Sequence, residues 1–350
     1  MIHINHQSGI ITMKAAVYRS KQLFEVTDLP KPEPAAGQVL IKVNRSAVCG
    51  TDVHAFMYDL APAGSVLGHE FAGVISAAGA GVTRWKEGDR VIGGGGEWPA
   101  GEQPPAYGHP RYNYRTMGFS ANTRTRGYAE YTVLDDWQPL AIPDGVPDEA
   151  AALTEPCSVA VHAVRRSSLK LGDTVGVFGA GPIGLLVTQA ARAAGAQVIV
   201  SEPAPGRSDA AMAVGAETVI DPFEQDPVER MVELTDGRGP DVVFDCAGLK
   251  NTLQQAFEAV RRAGQVVLVA VPWEPLPLLP AEWMAREIDF RSSWGGLPAD
   301  WQISLDLLAS GKISASSLMP DTSFITLDEI QEHFEALMSP TTQLQTIIKM

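Results

Sequence analysis

Two rhythms of apolar and polar positions divide this chain. From Met13 to about residue 150, short β-rich runs are broken by glycine and proline. Met13–Tyr18, Val39–Val43, Phe71–Ile75 and Tyr128–Val133 are apolar or aromatic stretches bounded by turn residues. This punctuation predicts an irregular all-β unit. Near Glu155 the rhythm changes. Strand-like runs at Thr174–Phe178, Gln197–Ser201, Thr218–Ile220, Asp241–Phe244 and Gln265–Val271 alternate with helical stretches at Ile183–Ala194, Ser208–Val214 and Leu253–Arg262. That alternation predicts an α/β unit built on a doubly wound parallel sheet. Beyond residue 297 the pattern is mixed, with a helix expected at Leu327–Leu337 and a strand at Gln343–Lys349. This tail is expected to pack back on the first unit. The domains that follow are 1–157 together with 297–350, and 158–296 as an insertion. Between Gly93 and Arg126 no period is visible, and a long loop or lobe is expected there.

Composition narrows the function classes. The 350 residues are 45% hydrophobic and 19% charged, enough to bury two cores. A net charge of −14 argues against nucleic acid or an anionic membrane as partner. No apolar run approaches the roughly 20 residues of a membrane span. Met1–Thr12 lack the basic and apolar regions of an export signal and read as a loose extension or a misplaced start. Cys49, Cys157 and Cys246 are scattered, which fits a reducing cytoplasm rather than a disulfide framework.

Gly179-Ala180-Gly181-Pro182-Ile183-Gly184 matches G-x-G-x-x-G, follows an apolar strand and opens an alanine-rich helix. Glycines there let the backbone approach a pyrophosphate, and the helix N-terminus offers free N–H groups. Without that context the same letters would describe only a strand–turn–helix. Glu202 ends the next strand, 18 residues after Gly184. A carboxylate at that place accepts from ribose hydroxyls and repels a 2′-phosphate, so NAD is expected over NADP. Arg207 nearby would pair with such a phosphate or stack on adenine, or stand in solvent.

Cys49, His69, Glu70 and Glu155 supply a thiolate, an imidazole and two carboxylates, the ligand types of a catalytic zinc. Glu70 and Glu155 compete for the position beside Cys49 and His69. Asp52 suits a carboxylate that fixes the imidazole tautomer of His69. Each residue alone would be an ordinary core cysteine or histidine.

Read together, these residues make the chain resemble the medium-chain dehydrogenase/reductase superfamily, specifically its zinc-dependent alcohol dehydrogenases. The resemblance runs from Met13 to the C-terminus. Gly68-His69-Glu70-Phe71-Ala72-Gly73, followed by Gly79 and Val82, looks like the family's zinc signature, and Gly88-Asp89-Arg90-Val91 is a typical turn. Leu153-Thr154-Glu155-Pro156-Cys157-Ser158-Val159-Ala160-Val161-His162-Ala163 resembles the polyol (sorbitol) and butanediol dehydrogenase branch, where glutamate replaces a second cysteine ligand. By that resemblance Cys157 neighbours a ligand position and is not itself a ligand.

The resemblance implies a GroES-like catalytic domain with a Rossmann domain, and an assembly of dimers or tetramers. It also implies a mechanism in which zinc lowers the alcohol's pKa and a hydride passes to the nicotinamide. The proton then leaves through Thr51, the cofactor's ribose and His54. The expected activity is NAD-dependent interconversion of a secondary alcohol or diol and its ketone. Two alternatives are a zinc-free, NADPH-dependent enone or quinone reductase and a catalytically silent dinucleotide-binding protein.

The sequence departs from the family pattern in two places. Many relatives hold a structural zinc with four cysteines after the Gly88–Val91 turn, but Gly93–Arg126 has no cysteine, and His109 is its one nitrogen or sulfur ligand. One zinc per chain is therefore expected, with Tyr107, Tyr112, Tyr114 and Phe119 packing the lobe. Only 14 residues separate His54 from His69, among them Phe56, Met57, Tyr58 and Leu60. With Trp294 these would form an apolar substrate wall and disfavour polyhydroxylated substrates. Ordinary packing explains the same aromatics equally well.

Overall fold

A computed structural model of the protein describes residues 11–97, 99, 126–273, 275, 276, 278–339 and 342–350. Met1–Ile10 and nearly all of the expected lobe, including His109, Tyr107, Tyr112, Tyr114 and Phe119, lie outside the described residues.

The chain forms two compact units, 1–141 with 324–341 and 347–350, and 142–323 with 342–346. In the first, β1 (Thr12–Ser20) and β2 (Leu23–Pro30) make an antiparallel hairpin. β3 (Gln38–Ala47) is the spine of a larger sheet and leads through Cys49 into α1 (Gly50–Tyr58). β4 (Glu70–Ala78) and β6 (Tyr131–Asp135) pair antiparallel with β3, while β5 (Arg90–Ile92) and β7 (Leu140–Ala141) extend the β4 side. Alternating apolar residues of these strands, among them Ile41, Val43, Phe71, Ile75 and Leu134, close one core.

α1 has no strong helix-forming run. Cys49 caps its first turn, Asp52 sits there to complement the dipole, and Asp59 ends it in the left-handed region at φ 56°. Asp52, Ala55 and Phe56 fall on one face and are buried. Phe56 stacks on Phe24 at 5.3 Å and meets Phe334 edge-on at 5.5 Å. Such ring pairs add about 0.5–1.5 kcal/mol each beyond area burial.

The second unit opens with α2 (Asp148–Ala152) and α3 (Thr154–Arg166). Then β8 (Thr174–Phe178), α4 (Pro182–Ala193), β9 (Gln197–Ser201), α5 (Pro205–Ala213), β10 (Thr218–Ile220), α6 (Pro227–Glu233), β11 (Val242–Asp245), α7 (Thr252–Ala259), β12 (Gln265–Leu268), α8 (Pro280–Ala285) and β13 (Asp289–Ser292) follow. The strands form one parallel sheet in the order β10-β9-β8-β11-β12-β13. The order reverses between β8 and β11, the crevice where such sheets bind dinucleotides. α9 (Pro298–Ala309) packs on α3.

These units differ in their bounds from the sequence expectation. Residues 142–157 and 297–323 fall with the parallel sheet because α3 and α9 are locked together. Asp300 is fully buried, takes His162 Nδ1 at 2.7 Å and the Leu297 N–H at 2.8 Å, and pairs with Arg165. β14 (Phe324–Thr326), α10 (Ile330–Leu337) and β15 (Ile347–Lys349) belong to the first unit, where β15 pairs with Arg45–Ala47 of β3.

Candidate metal and cofactor sites

Sheet register brings the metal-ligand candidates of the first unit together. Ala47, at the end of β3, pairs with Glu70 at the start of β4, so Cys49 and His69 follow and precede the same rung. One ligand atom each from Cys49, His69 and Glu70 lies within 4.8 Å of the other two. Donors on a tetrahedral zinc stand roughly 3.5 Å apart, so small side-chain adjustments suffice. Cys49 Sγ accepts from the Thr51 hydroxyl at 3.2 Å and the Thr51 N–H at 3.5 Å. A sulfur at a helix N-terminus is favoured as thiolate, the form that binds metal.

The surroundings suit a cation. Glu70 is buried, and Asp52 is fully buried. Burial alone pushes the His69 imidazole down, but the Asp52 carboxylate and the Cys49 sulfur beside it hold it well above its usual range. Asp52 Oδ2 accepts the Tyr128 hydroxyl at 2.7 Å. Its Oδ1 stands 3.6 Å from His69 Nδ1 and has no hydrogen-bond partner. This buried oxygen awaits an N–H, and the imidazole supplies one once its other nitrogen is committed to a metal. The donor set therefore fits zinc. Glu155 stands in the first turn of α3, in the second unit.

At the sheet's switch point the glycine-rich turn has the shape a pyrophosphate needs. Gly179 has φ +92°, where a side chain would be strained and would crowd Ala247. A Cβ on Gly184 would stand 1.9 Å from the Gly179 carbonyl oxygen, so helix and strand close together only over glycine. Gly181 is the N-cap of α4, with Pro182 and Ile183 opening the helix and no side chain capping it. A Cβ there would meet nothing within 4 Å. Free N–H groups thus face open space at a helix N-terminus.

Glu202 is buried, and both its oxygens already take backbone donors: Ala180 N–H at 2.7 Å and Ala204 N–H at 2.9 Å. It braces the glycine turn from below. A carboxylate has about four lone-pair sites, so it retains acceptor capacity. Arg207 donates to the Gln343 carbonyl at 3.0 Å, which commits one of its nitrogens to the protein. Asp245 had no role in the sequence reading. Its Oδ1 accepts Ala247 N–H, Gly248 N–H and the Thr252 hydroxyl at 3.0–3.1 Å, fixing the loop that packs against Gly179. An aspartate ending a strand two residues before Ala247-Gly248, at the carboxyl edge of the sheet, was the signal available for it.

Comparison with known proteins decides the family. The alcohol dehydrogenase GroES-like domain matches residues 35–144, and the zinc-binding dehydrogenase family matches residues 182–310. A sorbitol dehydrogenase of Halalkalibacterium halodurans is 34% identical over 90% of this chain and 93% of its own. The chain belongs to the zinc-dependent medium-chain dehydrogenases, in their polyol and butanediol dehydrogenase branch. The crystal structure of a 2R,3R-butanediol dehydrogenase from Bacillus subtilis superposes with a TM-score of 0.86 at 32% identity, covering 97% of this chain and 99% of that one. A zinc-binding dehydrogenase from Sinorhizobium meliloti bound to NADP gives 0.83 at 29% identity, covering 97% and 100%. The protein is thus a zinc-type alcohol or polyol dehydrogenase using a nicotinamide cofactor, and its two domains are the GroES-like and Rossmann folds.

The dehydrogenase does not use its apolar residues after His54 as the sequence suggested. Phe56 is fully buried in the aromatic core with Phe24 and Phe334, and Leu60 packs against the same core. The helical period turns Phe56 inward, and Leu60 follows the left-handed end of α1 at Asp59. Tyr58 is half exposed and stacks on His54 at 6.0 Å. Trp294 is 41% exposed. The wall argument against polyhydroxylated substrates thus loses two of its members. Cys157 is fully buried beside Ser304 of α9, and burial pushes its thiol up to about 12. It is inert packing.

Burial pushes His54 down to about 4. Unfolded, its imidazole protonates near 6.5. Between these values the unfolded chain binds the extra proton, so stability present above pH 6.5 is lost as pH falls through 4. Wild type should lose up to about 3 kcal/mol between pH 7 and 4 that His54→Gln retains. Urea titrations of both proteins across that range check this; parallel losses would refute it.

Proposed function

We propose that this dehydrogenase oxidises a secondary carbinol that carries a neighbouring hydroxyl, using one catalytic zinc per chain and NAD. The convergence of Cys49, His69 and Glu70 within 4.8 Å carries the reading. These three would hold the zinc as its protein ligands. When bound, zinc supplies Lewis acidity at the carbinol oxygen and the nicotinamide supplies the hydride acceptor. Thr51, its hydroxyl beside Cys49 Sγ, would accept the carbinol proton while passing on its own hydroxyl proton. His54, neutral at pH 7, would accept the released proton and give it to solvent. Gly179, Gly181, Pro182, Ile183 and Gly184 bind the pyrophosphate. Glu202 accepts from the adenosine ribose, and its buried charge disfavours a 2′-phosphate. Arg207, tied to Gln343, lines that end of the site without drawing the cofactor to NADP.

The substrate class rests on what the relatives act on by name: sorbitol and (R,R)-butanediol both present a secondary carbinol next to another hydroxyl. The absence of cysteine from Gly93–Arg126 supports the single zinc. Three free cysteines support a reducing cytoplasm, and among the described residues no helix is long and apolar enough to cross a membrane. The outer strand β13 exposes all four of its residues, and Phe290 and Trp294 stand exposed beside its open edge. Such an edge supports a homo-oligomer closed across it; a single-chain mass by light scattering would remove this part.

Metal analysis coupled to a substrate panel tests the whole. One zinc per chain is expected, with turnover of vicinal secondary diols by NAD exceeding that of isolated secondary alcohols and of any alcohol with NADP. Purified protein without zinc, or activity confined to enones or quinones with NADPH, would overturn it.

A further inference from the structure

We propose that Tyr128 is a positioning residue for the metal site, acting on His69 through Asp52. The inference rests on the proposed zinc site and adds a residue that belongs to none of the motifs there. Tyr128 and Asp52 are both fully buried, and the hydroxyl donates to Asp52 Oδ2 at 2.7 Å across 76 residues of sequence. A carboxylate is free to turn about its last bond. Anchoring Oδ2 fixes the direction of Oδ1, the oxygen that faces His69 Nδ1 at 3.6 Å.

Tyr128 also braces the backbone that carries the histidine. Gly127 N–H donates to the Gly68 carbonyl at 2.8 Å, and Tyr128 N–H to the Leu67 carbonyl at 3.0 Å. The segment before Tyr128 therefore runs along the two residues immediately before His69. The ring lies so close over residue 68 that a Cβ there would come within 2.6–2.7 Å of its Cδ1 and Cε1. Gly68 is thereby explained twice: its φ of +91° favours glycine, and the ring occupies the space a side chain would fill. Edge contacts with Phe24 and Phe334, at 6.4 and 6.0 Å, also hold the ring.

A tyrosine serving only as packing would not need this bond, since phenylalanine fills nearly the same volume without a buried hydroxyl to satisfy. The hydroxyl's one visible use is to hold Asp52. Partners that orient a ligating histidine are worth about 10–100-fold in metal affinity.

The test is zinc affinity of the full-length protein, measured by competition with a chromophoric chelator, for wild type, Tyr128→Phe, Asp52→Asn and the double variant. Melting of each apo protein is followed in parallel. Tyr128→Phe should weaken zinc about tenfold, the low end of that range, with apo melting little changed. In the Asp52→Asn background the same change should have almost no further effect, because Tyr128 acts through Asp52. Unchanged zinc affinity in Tyr128→Phe would overturn the proposal. So would a further tenfold loss on adding it to Asp52→Asn. If Tyr128→Phe lowers apo melting, the comparison of Asp52→Asn with the double variant decides, as each variant's affinity is then read against its own folded fraction. Wild type that binds no zinc would instead overturn the reading of the site itself.

Discussion

Cys49→Ser is expected to empty the metal site without weakening the fold. Cys49 is the one sulfur in the cluster, and Thr51 already directs two hydrogens at it. A serine hydroxyl is a far weaker acid than a thiol, so the variant gives zinc no comparable anionic ligand. Zinc affinity and kcat/KM should each fall by more than about 100-fold, beyond what loss of a supporting residue costs. Stability should move the other way or not at all. Cys49 occupies the N-cap of α1 at φ −82° and ψ 146°, and serine is among the best residues for that place. Zinc content by elemental analysis, initial rates and apo melting separate these effects. A Cys49→Ser protein that keeps stoichiometric zinc and wild-type rate would sink the metal assignment.

The second large effect is expected at the glycine turn, where two glycines have opposite reasons to be there. Gly184→Ala places a methyl group 1.9 Å from the Gly179 carbonyl oxygen. That is a backbone clash, so α4 must withdraw from β8 or the turn must open. Overpacking of this kind costs about 1–3 kcal/mol, and at roughly 2–4 °C per kcal/mol melting should fall by several degrees. Cofactor affinity should fall with it because the turn no longer closes. Gly181→Ala meets no atom within 4 Å and sits at φ −66°, so its melting should match wild type. Its methyl group still stands where a pyrophosphate approaches, so dinucleotide affinity alone should drop. Calorimetry and fluorescence titration with NADH read the two quantities. Equal effects of the two variants on both would show that the turn does not work this way.

Much of this was legible in the sequence, for identifiable reasons. The strands Thr174–Phe178, Gln197–Ser201 and Thr218–Ile220 begin and end where expected because each is a short apolar run between turn residues. Cys49, His69 and Glu70 were recognisable by ligand type, and β3–β4 register then brought them to one rung. α1 and α3 were not expected. Gly50-Thr51-Asp52-Val53 and Thr154-Glu155-Pro156 have poor helix propensity, and burial of one face overrides it. Phe56 was assigned to a pocket because, without a helix there, its period could not be seen. Glu202 was placed by strand position, but its bond to Ala180 depends on how two strand ends lie side by side. The same holds for Tyr128 and Asp52, since no local pattern links residues so far apart.

β15 has a consequence for the order of synthesis. The second unit takes most of its residues from one continuous stretch, 142–323, and can close while later codons are still being read. The first unit cannot. Its spine β3, which ends two residues before the sulfur ligand, gains a partner for Arg45–Ala47 on the side away from β4 only when Ile347–Lys349 leave the ribosome. Most of the dinucleotide fold can therefore form before the strand that flanks the metal-ligand rung is available.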